Sequence, residues 1–275
     1  MRHLWIAPAL ACAVAVGCLS AAQTPTEVAL GSKAAAAEKG EKEKSSGWGT
    51  IKGKVVWGGD ELPKPEEIDV TQNKEHCLKK GPLFRDDLVV NKKNKGVRWA
   101  IIWLAPESPT DKLPVNPALA GAKKKPAVMD QPRCMFEPHA LAMEEGQTLL
   151  VKNTASIAHN VQWQGLLNGG GNQTLPPSSE HEITDLVADK LPLIVKCNIH
   201  PWMSARVGVF KHPYFDVSDK DGNFEIKLAP AGTYRLVVWQ EKVGYVTPNA
   251  KKGMKITIAD GKVTEVEPLK LKPKE

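Results

Sequence analysis

The chain has 275 residues, enough for one or two domains. With 42% hydrophobic and 25% charged residues it can bury ordinary cores. Its net charge of +6, 37 basic against 31 acidic, comes from dispersed lysines with no basic stripe interleaved with aromatics, which argues against nucleic acid as a partner. Residues 1–22 read as a signal peptide: Arg2 and His3 are basic, Leu4–Val16 is apolar but short for a membrane span, and Ser20-Ala21-Ala22 offers a cleavage site. A rival reading takes Ala15-Val16-Gly17-Cys18 as an imperfect lipoprotein box with a lipid anchor on Cys18. Either reading exports the mature protein, to a periplasm or to the periplasmic face of a membrane. Residues 23–47 are low in complexity and read as a disordered tether, because they cannot bury enough apolar surface to offset their ordering entropy.

Folded structure is expected from Trp48. Thr50–Trp57 alternates as a strand and Gly58-Gly59-Asp60 ends it. Leu62–Lys74 reads as irregular, Leu88–Asn91 as a short strand, and Val97–Leu104 as a strand buried on both faces. A loop rich in Pro and Gly runs from Ala105 to Lys125. Further strands are expected in Ala127–Met129, Cys134–Met143, Leu149–Asn153 and Asn160–Trp163. Gly165–Ser179, with Gly169-Gly170-Gly171, reads as a loop, and Glu182-Ile183 and Leu191–Lys196 as strands. Asp219–Phe224 reads as a hairpin turn. Calcium is not expected there, because the sixth and twelfth positions that an EF-hand reserves for Gly and an acid hold Phe224 and Pro230. Tyr234–Trp239, Met254–Ile258 and Val263–Leu269 close the set of strands.

The chemistry concentrates in Leu191–Phe210. Two apolar runs flank a tight loop that carries Cys197, His200 and Met203. A thiolate, two imidazoles and a weak axial thioether form the ligand set of an electron-transfer copper site, so a second His is needed. His159, at the end of a strand–loop segment, is the candidate.

These residues carry a resemblance. His159-Asn160-Val161, the Cys-x-x-His-Pro-aromatic-Met loop from Cys197 to Met203, and the upstream Phe136-x-Pro138 and Gly146-Gln147-Thr148 are similar to the cupredoxins, with the loop closest to the amicyanin type. The resemblance covers residues 125–211. It implies a Greek-key sandwich holding one type 1 copper on His159, Cys197, His200 and Met203. It also implies that Asn160 ties the ligand loops together and that His200 lies near the surface as the way in for electrons. Pro201 and Trp202 would sit beside it, with Trp202 in the apolar docking patch. The amicyanin-type loop has Pro where this chain has Ile199. The Ile199 amide could therefore donate a hydrogen bond to the Cys197 sulfur.

A second resemblance lies outside this region. Asp221-Gly222-x-Phe224, Pro230-x-Gly232-x-Tyr234 and the first strand Gly49–Val55 resemble the carboxypeptidase regulatory-like (transthyretin-like) β-sandwich. The expected fold class is thus all-β. The expected organisation is a split sandwich, residues 48–112 and 212–275, with the cupredoxin-like domain of residues 125–211 inserted; the alternative is a longer cupredoxin with an N-terminal extension and a separate tail domain. Of five cysteines, Cys12 and Cys18 fall in the leader. With Cys197 on copper, Cys77 and Cys134 remain as an even pair, and a disulfide is expected in an oxidising compartment. The competing idea is a second metal site from His76, Cys77, Cys134 and His139. His139, His181 and His212 have no partners identifiable in the sequence and are treated as non-ligands.

The leading functional expectation is an exported electron carrier serving an unidentified redox protein such as a cytochrome or a dehydrogenase. The basic charge would suit an acidic partner. No enzyme activity is expected: the His-x-His motifs of further copper centres are absent, as are recognisable Ser-His-Asp and P-loop motifs. The alternatives are copper storage or delivery, and a surface interaction module with a vestigial site.

Overall fold

A computed structural model describes residues 47–121 and 124–272. The leader, Cys18 and the tether apart from Gly47 lie outside the described residues. The fold is all-β. Its elements begin with β1 (Trp48–Trp57), the single-turn α1 (Lys74–Cys77), β2 (Val89–Val90), β3 (Val97–Arg98) and β4 (Ile101–Ala105). There follow β5 (Ala127–Asp130), β6 (Ala140–Glu144), β7 (Leu149–Asn153), β8 (His159–Gln164), β9 (Gly170–Leu175), β10 (Ser179–Ile183), β11 (Leu193–Lys196) and β12 (Ser204–Phe210). The last are β13 (Phe215–Val217), β14 (Asn223–Pro230), β15 (Gly232–Gln240), β16 (Gly244–Tyr245), β17 (Met254–Ile258), β18 (Val263–Glu265) and β19 (Leu269–Leu271).

Strands β5–β12 form two facing sheets, in the orders β10-β7-β5 and β6-β12-β11-β8-β9. Alternation along β7 and β11 turns Leu149, Val151, Leu193 and Val195 inward, where they pack with Met129, Val161, Val207 and Cys197. The flanking strands make a second pair of sheets. In one, β1 pairs with β14, β18 and β19; in the other, the order is β13-β4-β15-β16, with β17 on β15. The chain leaves β4, builds β5–β12, and returns as β13 directly against β4, with Phe215 opposite Trp103.

The β4 run is apolar on both sides for a structural reason. Ile102 and Leu104 enter the core of the flanking sandwich, while Ile101 and Trp103 face Ala140, Phe210 and Trp239 between the two sandwiches. The expected single strand Val97–Leu104 breaks at Trp99, which has a left-handed backbone (φ 70°), so β3 pairs with β2 and β4 with β13 and β15. Val263–Leu269 likewise divides into β18 and β19, which pair with different parts of β1.

Gly165–Ser179 is not all loop: β9 pairs along the whole of β8. Gly171 lies opposite Trp163, whose indole crosses it, and a Cβ there would come within 2.1 Å of the ring. The glycines mark a close approach of a side chain to backbone within a sheet.

A polar network joins the two sandwiches. His139, almost fully buried, places Nε2 2.7 Å from Glu241 and Nδ1 2.9 Å from Asp86. Arg206 of β12 pairs with Glu241 as well, at 2.6 Å. Burial alone would push the His139 pKa down, but hydrogen bonds and charge attraction from Asp86 and Glu241 outweigh it and hold it at about 9. His139 is therefore protonated in the folded protein at neutral pH. Because its folded value lies above the ordinary 6.5, its contribution is complete below pH 6.5 and disappears as pH rises through 9. Urea denaturation should show stability falling between these values by on the order of 3 kcal/mol. In His139→Gln that slope should flatten.

Candidate metal centre

Cys197 follows the last residue of β11, and Met203 precedes β12. The loop between them is closed by backbone bonds from Met203 N to His200 O (2.9 Å) and Cys197 N to Met203 O (3.3 Å). His159 opens β8, which pairs antiparallel with β11 and so lies beside the loop. The Cys197 sulfur is 3.9 Å from His159 Nδ1 and 3.8 Å from His200 Nδ1, and the two nitrogens are 3.1 Å apart. A triangle with these sides has its centre about 2.1 Å from every corner, the length of a metal–imidazole bond and close to that of a metal–thiolate bond. The three donors are therefore spaced so that they could hold one metal ion. Met203 is fully buried in the core cluster that holds Cys197, as a loop-borne thioether at such a site would be.

The donors are at most 1% exposed. Burial, then the charges of His200 and His76, push the His159 pKa down to about 4; burial and His76 lower that of His200. Both imidazoles are neutral at neutral pH, the state in which nitrogen can bind a metal.

Asn160 braces the site. Its side-chain oxygen accepts from the amides of Asn198 (2.6 Å) and Ile199 (3.2 Å) and lies 3.3 Å from the Cys197 sulfur, while its Nδ2 donates to Asn172 on β9. It thus joins the His159 strand to the Cys197 loop. The expected hydrogen bond from Ile199 to the sulfur is not made: the Ile199 amide points instead at Asn160 Oδ1.

His200 also departs from expectation, because it is wholly buried rather than at the surface. The cover comes from the stretch around α1, read from sequence as an irregular part of the split sandwich. Ile68, Val70, Cys77 and Leu83 belong to the same core cluster as the ligand loop. Asn73 Oδ1 lies 2.9 Å from His200 Nε2, and His76 reaches Ser156 Oγ at 3.2 Å. Arg133 donates to the carbonyl of Gly81. Cys77 and Cys134 form the expected disulfide (Cα–Cα 5.5 Å), which staples this strap to the ligand-bearing sandwich. The alternative second metal site is thereby excluded: its two sulfurs are joined and its His139 is bound to Asp86 and Glu241. Trp202 is partly exposed, packs its ring 5.2 Å from that of His200, and donates to the Cys134 carbonyl. Pro201 beside it is exposed.

His181 rests against Trp163, and His212 stacks between Phe210 and Tyr214 with burial pushing its pKa down to about 4; neither approaches the donor triangle. Asn73 and the strap were not identified from sequence, where Asn-Lys-Glu-His-Cys carries no ligand spacing.

No protein-family model matches the chain, and no curated protein is similar to it. Several solved structures are similar to part of the chain. A purple cupredoxin from Nitrosopumilus maritimus is 21% identical, covering 30% of this chain and 98% of its own, with a TM-score of 0.27. A reduced amicyanin variant is also 21% identical, covering 39% and 97%, with a TM-score of 0.29. A copper-containing nitrite reductase from Thermus scotoductus is 20% identical, covering 36% of this chain and 27% of its own, with a TM-score of 0.30. None of these bears on the carboxypeptidase regulatory-like resemblance.

Replacing Asn160 by Ala would leave the part-buried amides of Asn198 and Ile199 without this acceptor. It should cost about 2–3 kcal/mol in the metal-free protein, measurable by urea denaturation.

Proposed function

We propose that the chain is a type 1 copper protein that carries single electrons between redox partners outside the cytoplasm. The observation that supports this most is the donor triangle: one sulfur and two imidazole nitrogens, nearly excluded from water, around a point at bonding distance from all three. Copper bound there would shuttle between Cu(I) and Cu(II), and a thiolate with two imidazoles and a weak thioether suits both states. The protein's part is to keep the donors still. Asn160 locks the loop to β8, the β11–β12 pairing fixes Cys197 and Met203, and the strap keeps water from His200.

Enclosure favours a carrier over a delivery protein. A metal handed to an acceptor needs an exposed ligand to exchange, and none of the three donors has one. The reading is of a carrier, and catalysis is no part of the proposal. With the His200 edge covered, Trp202 is the partly exposed ring in contact with a ligand and is the proposed way in and out for electrons. A cytochrome or dehydrogenase with an acidic face would suit the basic chain. Export through the residue 1–22 leader, with or without a lipid on Cys18, belongs to the same proposal.

Visible absorption of residues 23–275 after one equivalent of Cu(II) tests the reading. An intense blue or green thiolate-to-copper band should appear, and Cys197→Ser should abolish it. A protein that binds copper without this band would not be a type 1 carrier.

A further inference from the structure

Asn73 begins α1 with its backbone in the left-handed region (φ 49°). An asparagine at a helix start ordinarily turns its side-chain oxygen onto the second or third amide of the helix. Here the side chain caps nothing. The amides of His76 and Cys77 go to the Asn73 backbone carbonyl, at 3.0 and 2.9 Å, and Oδ1 is turned instead to His200 Nε2, 127 residues away. The capping position gives up its usual bond to make a contact at the metal centre. Local rules broken in this way cluster at functional sites.

The chemistry of the contact has one direction. An amide oxygen accepts and cannot donate, so His200 Nε2 must carry the proton. A neutral imidazole holds one proton, which leaves the Nδ1 lone pair free on the side facing Cys197 and His159. We propose that Asn73 is a positioning residue of the metal centre, holding His200 in the Nε2–H tautomer and closing its outer nitrogen to water. Three ties keep Asn73 in place: the Cys77–Cys134 disulfide four residues on, the His76–Ser156 bond, and the Arg133 contact with Gly81. Partners of this kind raise the basicity of a metal-binding imidazole and sharpen its orientation. The effect on copper rests on the function proposed above; the effect on the tautomer does not.

Asn73→Gly and Asn73→Asp both tolerate the left-handed backbone and so separate side-chain chemistry from backbone strain. Nitrogen-15 NMR of the metal-free protein reads the His200 tautomer and the exchange of its Nε2 proton with water. The unaltered protein should show a single Nε2–H tautomer with a protected proton. In Asn73→Gly protection should be lost, and in Asn73→Asp the tautomer should persist. On loading, Asn73→Gly should bind Cu(II) about tenfold more weakly. Asn73→Asp should have a lower reduction potential than the unaltered protein, because a carboxylate on Nε2–H favours the more positive metal. A merely structural role would move both variants the same way. An unchanged tautomer and proton exchange in Asn73→Gly would overturn the proposal, whether or not copper binds. Failure of all forms to bind copper would instead count against the function and leave the tautomer result standing.

Discussion

Three lone pairs that would rather face water or a proton are held within 4 Å of one another in a dry cluster. Their burial is a cost that the fold must bear. It lowers the affinity of His159 for protons to a pKa of about 4. The His159 Nε2 atom is buried without a hydrogen-bond partner. A metal ion at the centre of the triangle would offset part of that cost through three strong bonds. Much of the local architecture follows from keeping the corners in place: the β8–β11 pairing, the short loop into β12, and the Asn160 brace.

The centre is not the work of one sandwich alone. The strap around α1 belongs in sequence to the segment between β1 and β2, yet its apolar side chains pack into the same core as Cys197 and Met203. The disulfide fixes that placement by closing a loop between residues 57 apart, and a closure of that length reduces the freedom of the unfolded chain by about 4 kcal/mol in the entropic account. On another side, the charged His139 is held between Asp86, just before β2, and Glu241, just after β15, and Arg206 of β12 shares the latter. Flanking and ligand-bearing sandwiches are thus joined covalently, by an ion network, and by the aromatic cluster around Trp103 and Phe210.

What could be read from sequence was what is local. Cys197, His200 and Met203 share one loop, and alternation on either side defines its strands; His159 is legible because it opens the neighbouring strand. The cysteine pair followed from parity. The failures involve partners that spacing cannot reveal. Asn73 meets His200 across 127 residues, so the burial of His200 was missed, and Ile199 lost its expected sulfur contact to an asparagine oxygen placed by tertiary structure. His139 gave no sign of Asp86 and Glu241. Gly171 looked like loop because glycine ordinarily marks turns, whereas here it makes room for Trp163 inside a sheet. Trp99 breaks its strand at a positive φ that no propensity of tryptophan suggests.

The central claim is that the chain preforms a three-donor plane that suits both oxidation states of copper. X-ray absorption at the copper edge, recorded on the oxidised and the reduced protein, addresses it directly. The account predicts two nitrogens at about 2 Å and one sulfur slightly farther out, with the shell nearly unchanged on reduction. A shell without sulfur, or one that gains or loses a strong ligand between the two states, would contradict it.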